Sequence, residues 1–172
     1  TSPDLCARPF SSRMWSSKFS TPRLRRVTPR RRITASFDSV SVPGCVSAWI
    51  ELSRKFGKLP FERLFDPAMR YGREGFLVSP TIARQWAQQA AELKVQPGFA
   101  EAFMPGGRPP AAGEVFRFPD HAATLEKIAA TKGEAFYRGE LAQRIEAFAK
   151  QHQGAMRASD LAAHSLDWVT PL

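Results

Sequence analysis

Cysteine, histidine and long apolar runs are all scarce in this sequence. The two cysteines, Cys6 and Cys45, cannot build a disulfide framework and stand at no metal-binding spacing, so one optional bridge and the redox compartment stay open. The three histidines, His121, His152 and His164, lie in separate pieces of chain. No HExxH and no carboxylate at a ligand offset accompanies them, which reads as surface or capping histidine. No apolar run approaches the roughly 18–20 residues of a membrane span, and no signal-peptide pattern opens the chain. A GxSxG nucleophile elbow is missing. Gly106-Gly107 has neither the following Lys-Ser/Thr nor the preceding strand of a phosphate loop, so it reads as a turn. No internal repeat recurs at a fixed period.

Arginine, by contrast, is abundant and unevenly placed. The stretch TPRLRRVTPRRRITA, residues 21–35, carries six arginines and no acid. Residues 1–41 hold nine Lys/Arg against Asp4 and Asp38, whereas the remaining 131 residues hold sixteen basic groups against fourteen acids. The formal charge of +9 therefore belongs mostly to the first quarter. A run this dense attracts phosphate backbones when exposed, through counterion release. It lacks the aromatic interleaving of a strand-binding groove, and no reading motif follows it, so nucleic acid is the runner-up partner. Residues 1–41 are rich in Ser, Pro, Arg and Thr without a period of 2 or 3.6, and are expected to be an irregular segment.

From Val42-Pro43-Gly44 the character changes to helical. Val46, Trp49, Ile50 and Phe56 fall near i, i+3, i+4 spacing, with Gly57 as the C′ residue of a first helix. Pro60 opens a second stretch whose stripe is Phe61, Leu64, Phe65 and Ala68, with a kink or restart at Pro67 and a stop at Gly72 and Gly75. A third helix starts with Ser79 as N-cap and Pro80 at N1, with Ile82, Trp86 and Leu93 inward. Pro97 to Gly113 reads as loop, and EVFRFP as a short extended segment. A fourth helix is capped by Asp120 and stopped by Gly133. A fifth carries Leu141, Ile145 and Phe148, and a sixth piece is capped by Ser159. The sequence predicts a mostly α chain of about six short helices, residues 42–172, ending as an extended segment begins.

No self-contained active site emerges from these residues. Cys45 at a helix start reads as a small buried residue, since no His stands near it in sequence. Asp160 reads as a helix-start acid stabilised by the dipole. The helical spacing of Trp49, Trp86, Phe61, Phe65 and Tyr137 marks them as core and not as base-stacking platforms.

The order of turns and helix starts resembles the large subunit of γ-glutamyltranspeptidases (glutathione hydrolases). The resemblance runs through VPGCVSAWIELSRKFGKLPFERLFDPAMRYGREGFLVS, with its Val-Pro-Gly turn, aromatic-bearing helix, Pro-Ala helix and Gly-Phe-x-Val. It continues through FYRG, Gln153-Gly154, the SDLA helix start and a final Pro, covering about 130 of the 172 residues. Thr1-Ser2-Pro3 is similar to the end of a family segment whose Arg grips the substrate α-carboxylate, which places that Arg ahead of Thr1 and the chain as a piece of a longer one. Between Pro3 and Val42 the arginine-rich text is foreign to the family. A local reading-frame slip in GC-rich coding sequence yields such text, and comparing the three forward translations tests this.

The resemblance implies a parent fold of the αββα N-terminal-nucleophile hydrolase type. It implies a precursor that cleaves itself, after which the amino-terminal Thr of a small subunit attacks a γ-glutamyl carbonyl with its own α-amine as base. Backbone N–H donors would hold the oxyanion, and the acyl group would pass to water or an amino-acid acceptor. The implied partners are that small subunit and glutathione or another γ-glutamyl compound. No cofactor is implied. The catalytic, substrate-binding and metal positions expected within this chain are none, and the isolated chain is expected to be inert. Relatives include exported periplasmic forms whose signal would lie upstream. A related amide acylase and a non-catalytic helical scaffold are the other readings.

Overall fold

The computed structural model describes residues 40–170. The arginine-rich stretch and Cys6 lie outside the described residues. Among those described, eight α-helical segments, two 3₁₀ turns and one two-stranded ribbon follow one another. The mostly α expectation holds.

Helix α1, Cys45–Phe56, begins after the Val42-Pro43-Gly44 turn. It ends at Gly57, but that residue is extended (φ −69°, ψ 141°) and not left-handed. Instead of a left-handed C′ cap, the Gly57 N–H bonds to the Ser53 carbonyl and the chain leaves straight. A 3₁₀ turn, Phe61–Phe65, passes into α2, Asp66–Glu74. Pro67 sits in the first turn of α2, where its missing N–H costs nothing, so the expected restart is real. Gly72 does not close this helix. It lies inside it, and a Cβ there would come within 2.9 Å of the Ala122 Cβ, so its role is close approach to the helix behind. Gly75 makes the stop, at φ 96°, a conformation that costs a side-chain-bearing residue.

The ribbon pairs β1, Phe76–Leu77, with β2, Val115–Phe116, antiparallel, with Phe76 opposite Phe116. Between them stand α3, Pro80–Leu93, and α4, Phe99–Phe103. Ser79 caps α3 by accepting from the Ile82 N–H at 3.3 Å. Ile82 is 43% exposed and only Ala90 of this helix is buried, so Ile82 does not point inward as expected. Trp86 is half-buried against Phe116, ring centroids 4.7 Å apart. The expected loop from 97 to 113 contains α4, where the Phe99 and Phe103 rings pack at a tilt of 34° with centroids 5.2 Å apart, and a 3₁₀ turn, Pro105–Gly107.

Helix α5, Pro119–Thr131, is the centre of the body. Its buried residues Ala122, Leu125, Ile128 and Ala129 recur on one helical face. Asp120 is not its cap: Pro119 takes the first helical position, which moves Asp120 into the first turn and leaves Phe118 at the cap. Lys132 and Gly133, both at positive φ (49° and 82°), end the helix. Then come α6, Glu134–Tyr137, α7, Glu140–Gln151, and α8, Ala158–Ala162. Ser159 does not cap α8 either. Arg157 holds the cap position, and the carboxylates of Asp160 and Glu146 accept from the Arg157 and Ala158 N–H groups at 2.9 and 3.0 Å. One apolar core joins α1, the 3₁₀ turn and α5 to α8, with Val46, Ile128, Tyr137 and Leu161 among its members. No helix among the described residues is long and apolar enough to cross a membrane.

Candidate functional site

Two features stand out, a polar corner at the start of α1 and an uncovered apolar trough beside it. The corner forms because Gly133 lets the α5–α6 junction lie directly on α1: a Cβ there would stand 2.4 Å from the Ile50 Cδ1. That approach brings Tyr137 under the Pro-Gly turn. Its hydroxyl donates to the Pro43 carbonyl at 2.7 Å and accepts from the Ser47 N–H at 3.0 Å. A first-turn N–H of α1, which has no partner within its own helix, is thereby satisfied from across the fold.

His164 completes the corner. Its ring stacks on Tyr137, centroids 5.1 Å apart and 18° between planes, and its Nε2 lies 2.8 Å from the Ser47 Oγ. The Ser47 hydroxyl donates to the Gly44 carbonyl at 2.8 Å. The direction of the Ser47–His164 hydrogen bond follows the imidazole tautomer. The pair joins the start of α1 to the segment after α8.

The trough runs along one side of α1, the 3₁₀ turn and α2. Trp49, Leu52, Phe56, Leu64 and Ala68 line a groove of about 530 Å³. Beyond Ala68 a second concavity of about 480 Å³ continues over Tyr71, Phe76, Phe116 and Phe118. Leu52 is 49% and Phe56 64% exposed. Contiguous exposed apolar surface of this kind marks an interaction face or a ligand groove.

The remaining candidates read from the sequence fall apart in space. His121 stacks on Phe118 at 5.5 Å, on the rim of the second concavity, and His152 leans on Phe148. Cys45 is exposed, not buried as expected. Asp160 is a helix-start acid, as expected. Gly106 and Gly107, at φ 70° and 80°, make a turn. Phe65 and Tyr137 are core, whereas Trp49 is 41% exposed in the trough. Among the described residues no group of three or more His, Cys, Asp or Glu could hold a metal ion.

Among the described residues the perturbed carboxyl groups all sit in ion pairs. Arg108 and then the Ala111 N–H bring Glu114 down to about 2. A hydrogen bond from Lys127 lowers Glu140, and one from Lys150, helped by the Ala158 N–H, lowers Glu146. Arg54 lowers Glu51, with smaller help from the Trp168 indole. Each is held in its charged form, which suits a structural anchor and not a proton donor near neutral pH.

The corner roles of Ser47 and His164 escaped the sequence because their partners lie far along the chain, those two residues being 117 positions apart. The nearest signal is the small hydroxyl residue Ser47 in the first turn after a Pro-Gly pair.

A helical lobe with one uncovered apolar side is what the fold and its surfaces define. The chain belongs to the gamma-glutamyltranspeptidase family, which it matches over residues 18–172. This is an enzyme family of hydrolases and transferases, and its parent fold is that of the N-terminal-nucleophile hydrolases. An acylase ACY 1 proenzyme from Pseudomonas sp. (strain V22) is 31% identical over 148 residues, 86% of this chain and 26% of that protein. A cephalosporin acylase from Bacillus halodurans superposes with a TM-score of 0.72 at 43% identity, over 76% of this chain and 25% of that one. The Helicobacter pylori gamma-glutamyltranspeptidase superposes with a TM-score of 0.74 at 28% identity, over 81% and 40%. The chain spans about a quarter of the length of the curated relatives it matches first.

Proposed function

We propose that residues 42–172 are a helical segment of the large subunit of a γ-glutamyltransferase or glutathione hydrolase. The observation that carries this reading is the family match over residues 18–172. The parent cleaves γ-glutamyl amide bonds with an amino-terminal Thr that lies on a small subunit, outside this chain. The Thr hydroxyl oxygen bonds to the γ-carbonyl carbon while its α-amine takes the proton, and the departing amine then receives that proton. Water or an amino-acid acceptor takes the acyl group from the resulting ester. This chain contributes shape, not chemistry: the trough beside α1 and α2 seats other parts of the parent, and the Tyr137–Ser47–His164 corner fixes the angle of α1.

A second reading has a specific observation behind it. Identity to the cephalosporin acylase, 43%, exceeds that to the H. pylori transpeptidase, 28%, which favours a parent acting on the side-chain amide of a β-lactam. The test is turnover by the complete parent protein of γ-glutamyl-p-nitroanilide and, separately, of an N-acylated cephalosporin. Release of p-nitroaniline supports the first reading, release of the cephalosporin amine alone supports the second, and neither refutes both.

A further inference from the structure

Beside the polar corner lies a cavity of about 220 Å³, walled by α1, the α5–α6 junction and the segment after α8. These walls are tied to one another. Gly133 sets the junction directly on Ile50. At one end of the segment after α8, His164 bonds Ser47 and stacks on Tyr137. At the other end the Trp168 indole donates to the Glu51 carboxylate, and its ring lies 3.9 Å from the Lys55 ammonium. Leu166, between these two attachments, lines the cavity. Such a cavity is formed before a guest arrives, so filling it carries little ordering cost.

The charges around it leave one over. Glu51 is paired with Arg54 at 2.6 Å and Glu134 with Arg138 at 3.0 Å. Lys132 also lines the cavity, and among the described residues no carboxylate pairs with its ammonium. Its backbone is left-handed, φ 49°, a conformation that glycine adopts without strain and lysine does not. A strained residue whose charge is left over beside a concavity points to a use for that charge. Ile50 and Leu166 give the same cavity an apolar side. The space equals about seven water molecules at about 30 Å³ each. That is below the volume of sites for drug-sized ligands, which sets the size of the guest.

We propose that this cavity binds a short-chain monocarboxylate, with its carboxylate on the Lys132 ammonium and its alkyl body against Ile50 and Leu166. Phosphate has no apolar part to cover those two side chains, and an alkylammonium ion meets Lys132 with like charge. The site does not depend on which amide the parent cleaves.

Isobutyrate is the probe, and saturation-transfer NMR at low salt on the 172-residue chain measures its binding. A cooperative thermal melt checks that the chain is folded, and the complete parent protein is titrated instead where the melt is not cooperative. Isobutyrate should bind saturably, and neither phosphate nor isobutylamine should displace it. Lys132→Gly keeps the left-handed backbone and removes the ammonium. It should weaken isobutyrate binding at least tenfold while melting no lower than the unsubstituted chain. Lys94→Gln, on α3, should leave binding unchanged. Absence of saturable binding would overturn the site. So would displacement by phosphate at the same concentration as by isobutyrate itself, an affinity that Lys132→Gly does not move, or one that Lys94→Gln lowers equally.

Discussion

The Tyr137 hydroxyl accepts the backbone N–H of Ser47 at 3.0 Å across 90 positions of sequence, while donating to the Pro43 carbonyl at 2.7 Å. One phenol oxygen thus ties the start of α1 to α6. Tyr137→Phe keeps the ring and removes both bonds, leaving a part-buried N–H and carbonyl unpaired. The expected loss is about 1–3 kcal/mol, read as a lower urea midpoint with an unchanged slope. An unchanged midpoint would show that water replaces the hydroxyl at no cost.

Gly133 and Gly98 share a left-handed backbone, φ 82° and 76°, but not their surroundings. A Cβ at Gly133 would meet the Ile50 Cδ1 at 2.4 Å, whereas one at Gly98 would meet nothing within 4 Å. Gly98→Ala should cost only the backbone preference, about 1–2 kcal/mol. Gly133→Ala should cost more, because α1 must also move away from the α5–α6 junction. Thermal melts of the two variants side by side check the order.

Arg108 and the Ala111 N–H hold Glu114 at about 2, against an ordinary value of 4.5. Between those values the unfolded chain binds the proton and the folded chain does not, so stability rises with pH. The contribution is complete above pH 4.5 and is lost as pH falls toward 2. Arg108→Met should flatten the acid limb of stability against pH in that window by lowering the value above pH 4.5, and leave the value near pH 2 little changed. An acid limb identical to the parent's would remove Glu114 from the account.

Leu52 and Leu64 line the trough and are 49% and 45% exposed. Leu52→Lys with Leu64→Lys should leave the melting temperature of the 172-residue chain nearly unchanged and raise its solubility. In the complete parent the same pair should lower the yield of folded protein severalfold, because buried unpaired ammonium groups are costly. Equal yields of parent and variant would mean that nothing covers this face.

Much of the helical layout was legible in the sequence, because local signals decide it. Ser79-Pro80 opens a helix, Pro67 restarts one and Gly133 ends one. Caps were legible only where no stronger local term competed. Proline's preference for the first helical position displaced Asp120, and the Asp160 and Glu146 carboxylates displaced Ser159. The exposure of Trp49 and Ile82 was not legible at all, since an apolar stripe reads the same whether its own core or another surface covers it. The polar corner was equally hidden, for His164 and Ser47 meet only through the tertiary fold. The family order of turns reached further than any single residue, because it draws on many weak signals at once.

The central claim is that this chain is a supporting lobe whose catalytic nucleophile lies elsewhere in the parent. Incubation of the purified 172-residue chain with γ-glutamyl-p-nitroanilide tests it most directly. The account predicts no release of p-nitroaniline above the buffer rate. Sustained release proportional to the concentration of the chain would contradict it.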